Sequence, residues 1–357
     1  MFEENLKAIT AALEGRSYDA LLLTSPENRF YATGFHSSAG IVLITKNRAL
    51  FSTDFRYFED AGAKISGYEL VMTAKDLPYT KIIGDFCRAE GIASLGFEDA
   101  SMSVSEYQTM RDALAVDLVP EAGLMASLRM VKRDFEIERI TAAQRVAEAA
   151  FEKLLPSIRP GVRECEIAAE LDYQIRLCGG TGNSFDTIAV SGPNGSLCHG
   201  VPGARKLEAG DFLTLDFGAI LNGYCSDMTR TVALGRVSEE MRRVYELVLQ
   251  AQAESIAAAR AGIAGAELHN VAARIISGAG YGEYFGHGLG HSLGIEVHDG
   301  PGASPSNPNP IPAGAVITIE PGIYIPGRFG VRIEDFVVFE ENGCRNITQC
   351  PKQLLIL

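Results

Sequence analysis

"FLTLDFGAILNGYCSDMTRTVAL", residues 212–234, reads as two extended runs joined by Asn222-Gly223. Asn-Gly suits a two-residue type I′ turn, in which both central residues need positive φ. With that turn Leu221 faces Tyr224 and, counting back, Asp216 faces Thr229. Asp227 stands two residues from Thr229 and so shares the face of Asp216. The two carboxylates become diagonal neighbours with backbones about 7–8 Å apart, a spacing for gripping metal between them. A bulge would spoil this register, so the shared face is an expectation for the structure to test. Aspartate is depleted in strands, and Phe, Leu and Met flank both positions, which argues for chemistry over accident.

Outward from the hairpin, the pattern recurs. "RPGVRECEI" (159–167) and "RAGIAGAEL" (260–268) share Arg-x-Gly-[Val/Ile]-x-x-x-Glu-[Ile/Leu]. Apolar periodicity predicts helices over 134–155 and 163–178 in the first case, and over 238–260 and 266–278 in the second. Strands follow each pair, the second set near 315–340. This part of the chain therefore reads as two related halves, each a helix pair followed by antiparallel strands. A site between the halves draws ligands from both.

The second half supplies acids at comparable places. "VITIEPGIYIP" (316–326) ends an alternating strand on Glu320, and "GVRIEDFVVF" (330–339) carries Glu334 with Arg332 on the same side. Between them "GHGLGHSLGIEVHDG" (286–300) holds His287, His291 and His298, three of the chain's six histidines. His199 lies in "LCHGVPG". Gly286, Gly288, Gly290 and Gly294 are expected to let backbone approach the site closely. Four carboxylates without cations repel or bind protons. Two divalent ions balance them, and an oxygen-rich set with one imidazole suits manganese, cobalt, iron or zinc.

The first part alternates differently. "DALLL" (19–23), "GIVLI" (40–44), "ALFST" (49–53), "SLGFE" (94–98) and "VDLVP" (116–120) read as strands. Helices are expected at 2–14, near 55–63, at 76–90 and near 103–114, giving an α/β domain. It has neither GxGxxG nor GxxxxGK[ST], so it reads as structural or assembly-related.

Composition bounds the function. The formal charge of −13 argues against nucleic-acid binding. No apolar run approaches a membrane span, and the opening "MFEENLKAIT" lacks the apolar region of a secretory signal. Seven scattered cysteines with no CxxC pair suit reduced thiols in a cytoplasm. Cys198 and Cys225 read as packing residues.

"LDFG", "SDMTR", "HGLGHSLGIEVHD", "TIEPGIY" and "VRIED", in this order, resemble the Xaa-Pro aminopeptidase and prolidase family of pita-bread-fold metallopeptidases. "NRFYATGFHSSAG" (28–40) is similar to a loop of that family's creatinase-like N-terminal domain. The likeness spans essentially the whole chain. It implies an α+β fold, with a creatinase-like α/β domain over 1–122 and a pita-bread catalytic domain over 123–357. It implies two divalent ions, manganese first, held by Asp216, Asp227, His291, Glu320 and Glu334. A bridging water would attack the scissile carbonyl, with Glu320 assisting proton transfer. His199, His287 and His298 would stabilise the intermediate or position the peptide, and His298, Arg332 and Tyr324 would contact substrate. Proline-containing peptides and a second copy of the chain, as a homodimer, are the implied partners.

The leading reading is an aminopeptidase acting on the N-terminal Xaa-Pro bond. An Xaa-Pro dipeptidase differs in how the site ends, for which "GPGASPSNPNP" (300–310) is a candidate loop. A methionine aminopeptidase usually lacks the first domain, and creatinase dispenses with these ligands. A binding protein on an inactive version of the fold would be favoured by a missing ligand, and none is missing.

Overall fold

The computed structural model describes residues 2–357, which form two compact units that divide after Arg129. The first is built on a six-stranded mixed sheet in the order Glu69–Met72, Ala49–Thr53, Ile41–Ile44, Ala20–Leu23, Ser94–Phe97, Asp117–Pro120. Its four central strands are apolar runs buried along almost their whole length, as expected for strands covered on both faces. Leu22, Leu43, Leu50 and Leu95 pack with Ile83 and Phe86 of the helix Tyr79–Glu90.

Three features depart from the sequence reading. The strand Glu69–Met72 is additional: it is an edge strand with both faces partly exposed, so it has no apolar alternation to read. Half of the 28–40 stretch, expected as loop, lies in the helix Pro26–Thr33, capped by Ser25 with Pro26 in its first turn. The first unit also extends past 122. The helix Leu124–Met130 buries Leu124 and Met125, Arg129 donates to Asn28 Oδ1 (2.8 Å), and Tyr31 Oη donates to Leu128 O (3.3 Å).

The second unit has the expected two halves, each with its own core. The helices Asp134–Leu154 and Glu164–Leu177 pack Phe151, Ile167 and Leu171 onto Leu213, Leu215, Phe217, Met228 and Val232. The helices Glu239–Ala258 and Gly265–Gly278 pack Val244, Val248, Leu268 and Ala272 onto Ile317, Ile319, Val331, Ile333 and Val337. The repeated nonapeptides make the same bonds. Gly161 N donates to Leu207 O and Gly262 N to Ile311 O, each at 2.8 Å. Both glycines have positive φ, 91° and 83°.

Strand alternation then decides what the halves show each other. Residues 213, 215 and 217 turn to one helix pair, and 317, 319, 331 and 333 to the other. Thr214, Asp216, Thr229 and Thr231 are left to face Thr318, Glu320, Arg332 and Glu334. Hydrogen bonds join the two sets: Glu334 N donates to Thr229 O (3.2 Å), and the Thr231 hydroxyl donates to Arg332 O (3.0 Å).

Candidate metal centre and active site

Asn222 and Gly223 have φ of 52° and 82°, both positive as the turn requires. Leu221 pairs with Tyr224 and Asp216 with Thr229, the register expected from the sequence, and no bulge intervenes. Gly218 stands opposite Asp227, where a Cβ would lie 1.9 Å from Ser226 O. The hairpin closes tightly there because that residue has no side chain.

His291 is placed by a strand-like pairing. Glu320 N donates to Leu289 O (2.8 Å), Thr318 N to His291 O (2.8 Å) and Leu293 N to Val316 O (3.0 Å). Thr318 Oγ1 accepts from His291 N (2.9 Å) and donates to Glu320 Oε1 (3.2 Å), so one hydroxyl sets both residues. In the first half Ile188–Ser191 pairs with Phe212–Phe217 in the same way, Ile188 opposite Asp216 and Val190 opposite Thr214. Val190 thus holds the place that His291 has in the second half, which is why this arrangement has a single imidazole.

Asp227, His291 and Glu334 can offer ligand atoms all within 4.8 Å of one another. His291 Nε2 lies 3.4 Å from Asp227 Oδ2 and 3.5 Å from Glu320 Oε1. Asp216 joins through a relay: Arg332 Nη2 donates to its Oδ2, Arg332 Nε donates to Thr229 Oγ1 (3.2 Å), and Thr229 Oγ1 donates to Glu334 Oε2 (2.7 Å). Burial lifts Asp227 to about 6 and Glu320 to about 7. Glu334 is raised well above the usual carboxylate range, by burial and by Asp227, Glu320 and Asp216. For His291 burial works downward, yet Asp227 and Glu320 carry it up to about 9.

These acids fit divalent cations. Asp216 Oδ1, Asp227 Oδ1 and Glu334 Oε1 are buried with no hydrogen-bond donor. Buried carboxylate oxygens normally find a donor, and three orphaned ones, two of them on acids clustered with the His291 imidazole, make the donor set of a hard or borderline metal.

The remaining expected residues divide into two kinds. His199 and His298 are exposed, and the His298 ring lies edge-on to His291 with centroids 4.3 Å apart. His287 and Arg332 are engaged within the protein. His287 Nδ1 is 2.7 Å from Gly288 O, which only accepts, so the network assigns the proton to Nδ1. Nε2 then accepts from Tyr324 Oη at 3.0 Å, and Tyr324 Oη accepts from Arg332 Nη1 at 2.7 Å. Burial lowers the His287 pKa to about 4, in keeping with a neutral ring. Arg332, expected on a pocket wall, has a side chain only 2% exposed. Thr229, which lies within "SDMTR" and faces Asp216, and Thr318, which opens "TIEPGIY", join the site although the sequence gives them no role of their own: nothing in the chain separates a threonine that orients a carboxylate from one that fills a strand.

The glycines are also unequal. A Cβ on Gly290 would meet Thr318 O at 1.8 Å and one on Gly294 would meet Asp299 Oδ2 at 2.0 Å, while Gly286 has nothing within 4 Å. Close approach holds for the first two and is corrected for Gly286.

Comparison with known proteins gives two family matches: metallopeptidase family M24 over residues 138–341, and the Creatinase/Prolidase N-terminal domain over residues 5–131. The chain is 34% identical over 360 residues to an Xaa-Pro dipeptidase of Pyrococcus horikoshii, covering 99% of each. Its structure is similar to that of an Xaa-Pro dipeptidase from Bacillus anthracis, with TM-score 0.96, 41% identity and 100% of each chain covered. It is also similar to an X-Pro aminopeptidase from Thermotoga maritima, with TM-score 0.92, 36% identity, and 97% of this chain and 100% of that one covered.

Proposed function

This chain belongs to metallopeptidase family M24, a creatinase-type N-terminal domain followed by a pita-bread catalytic domain, and we propose that it hydrolyses the Xaa-Pro bond at the N-terminus of peptides with two divalent metal ions. The observation that carries the metal part is the trio of buried, donorless carboxylate oxygens on Asp216, Asp227 and Glu334. Asp216, Asp227, His291, Glu320 and Glu334 would hold the ions, manganese first and cobalt, zinc or iron as alternatives. Bound there, they would lower the pKa of a captured water and polarise the scissile carbonyl.

The chain's own groups do the rest. Glu320, oriented by Thr318, takes the proton from the attacking water and returns it to the leaving amine. His298, against the face of the metal-binding imidazole, and His199 are free to donate to the developing oxyanion or to hold the peptide. His287, Tyr324 and Arg332 form one hydrogen-bond network in which Arg332 donates both to Asp216 and to Tyr324, and Tyr324 donates to His287. Their part is to position the ligand shell, with Tyr324 also a candidate for substrate contact.

An X-Pro bond has no N–H to donate, and its ring fixes φ, so a site shaped for it excludes ordinary peptides. An Xaa-Pro dipeptidase is the second reading, favoured by the likeness to proteins of that name. All seven cysteines are free thiols, which supports a reducing, cytoplasmic setting. A homodimer is part of the same proposal, and sedimentation tests it. Turnover of Xaa-Pro, Xaa-Pro-Yaa and Xaa-Ala-Yaa peptides with manganese, cobalt and zinc decides the rest. Preference for the tripeptide supports the aminopeptidase, and action on Xaa-Pro alone the dipeptidase. Equal turnover of Xaa-Ala-Yaa removes the proline pocket.

A further inference from the structure

Glu164 opens the helix Glu164–Leu177 and is fully buried. An acid in a first helical turn needs no special explanation, because the helix dipole favours it. This one does more. Its Oε1 accepts from Ser191 N (2.7 Å) and Ser191 Oγ (2.8 Å), its Oε2 accepts from Gly203 N (3.3 Å), and Asn194 Nδ2 reaches both oxygens at 3.2 and 3.1 Å. Ser191 and Gly203 are the two ends of the loop that carries His199, and Asn194 lies inside it. Each of these partners is a donor, so only a carboxylate can accept from all of them.

The second half shows that the fold does not need this acid. Gly265 holds the equivalent place at the start of its helix. The surrounding backbone is the same: Cys165 N donates to Gly203 O (3.1 Å), and Ala266 N donates to Asn307 O (2.7 Å). There the space is filled from the loop side, where a Cβ on Gly265 would meet Asn307 Nδ2 at 2.7 Å. One half closes with glycine and the other with a glutamate tied to the His199 loop. The difference between them lies in the loop each one closes.

We infer that Glu164 is a positioning residue that sets His199 for the reaction by pinning both ends of its loop. The inference rests on the reading that His199 serves catalysis. Near the tip, the loop is held again where Arg332 Nη1 donates to Cys198 O at 3.1 Å, so His199 is presented between two fixed points.

The test is a double-mutant cycle with an independent structural readout. Glu164→Gln places an amide N–H₂ against donors, and Asn194→Ala removes one donor from the loop side without touching the helix start. In the metal-loaded parent, each should lower kcat/KM for Xaa-Pro-Yaa, the first by about tenfold or more. In a His199→Ala background the same change should cost less than threefold. In the metal-free protein, amide hydrogen exchange over 191–203 should accelerate while that of the helix core, such as Leu171, is unchanged. Equal losses in both backgrounds, or unchanged exchange in the loop, overturn the positioning role. A neutral His199→Ala instead overturns the catalytic reading of His199, and the exchange result then shows whether Glu164 anchors the loop regardless.

Discussion

Arg332 donates from Nη2 to Oδ2 of Asp216, while the other oxygen of that carboxylate, Oδ1, is buried without a donor. One oxygen is committed to the protein and the other is left for a cation. The same guanidinium donates to Tyr324 Oη, Cys198 O and Thr229 Oγ1, a planar fork used on four sides.

Arg332→Met should therefore do more than damage substrate contact. Removing one partner of a buried pair costs about 3–5 kcal/mol, because the other charge is left uncompensated. Arg332→Lys keeps the charge but cannot reproduce the fork, so it should recover only part of the loss. Thermal unfolding and metal content of both variants check this. Parent-like stability and metal retention in Arg332→Met would return Arg332 to the pocket wall that the sequence suggests.

Metal removal is the second test. With ions absent, the donorless oxygens of Asp216, Asp227 and Glu334 stay buried, and only Arg332 and His291 offset the charge of these acids. Chelation should lower the unfolding temperature of the catalytic unit, and manganese or cobalt should restore it. At metal about 100-fold above its dissociation constant the gain is about 2.7 kcal/mol. A chelated protein, shown metal-free, that melts where the loaded one does would argue that this cluster holds no ion.

Asp216 and Asp227 are legible in the amino-acid sequence because the hairpin that carries them is local. Asn222-Gly223 dictates a turn, the turn dictates register, and period two dictates the shared face. The two halves are legible because the nonapeptide repeat is itself a close, positive-φ turn leading into a helix. Thr229 and Arg332 are legible only in part. The partner of Arg332 depends on which strand of one half meets which strand of the other, and no local pattern encodes that pairing. Glu69–Met72 escapes for a different reason: an edge strand exposed on both sides lacks the apolar alternation that marks a strand. The glycines of the histidine loop cannot be ranked from the chain either, since their ranking depends on what each one faces in space.

That ranking gives the third prediction. Gly290→Ala drives a Cβ into Thr318 O and breaks the pairing that places His291, so it should cost about 3 kcal/mol or more. Gly286→Ala, four residues away in the same motif, meets nothing and should stay within about 0.5 kcal/mol of the parent. Denaturant unfolding and metal content of the pair are the measurement. Equal tolerance of both changes would show that the 289–293 segment is not held against 316–320.

The last prediction concerns Thr229, which lies within "SDMTR" but is not among the expected site residues. It is fully buried, and its hydroxyl both donates to Glu334 Oε2 at 2.7 Å and accepts from Arg332 Nε at 3.2 Å. Through it, Arg332 and Glu334 of the second half are both tied to the strand that faces Asp216 in the first. Thr229→Val keeps the shape and deletes the hydroxyl, leaving an N–H and a carboxylate oxygen buried without partners. Such groups cost about 1–3 kcal/mol each when orphaned. The variant should lose stability on that scale, hold metal more weakly and turn over more slowly, even though Thr229 is not itself a proposed ligand. Thr229→Ser restores the hydroxyl and loses only a methyl group, so it should recover metal affinity and most of the turnover. The comparison separates the relay from packing. If valine behaves like the parent while serine is impaired, the methyl group matters and the hydroxyl bridge between Arg332 and Glu334 does not.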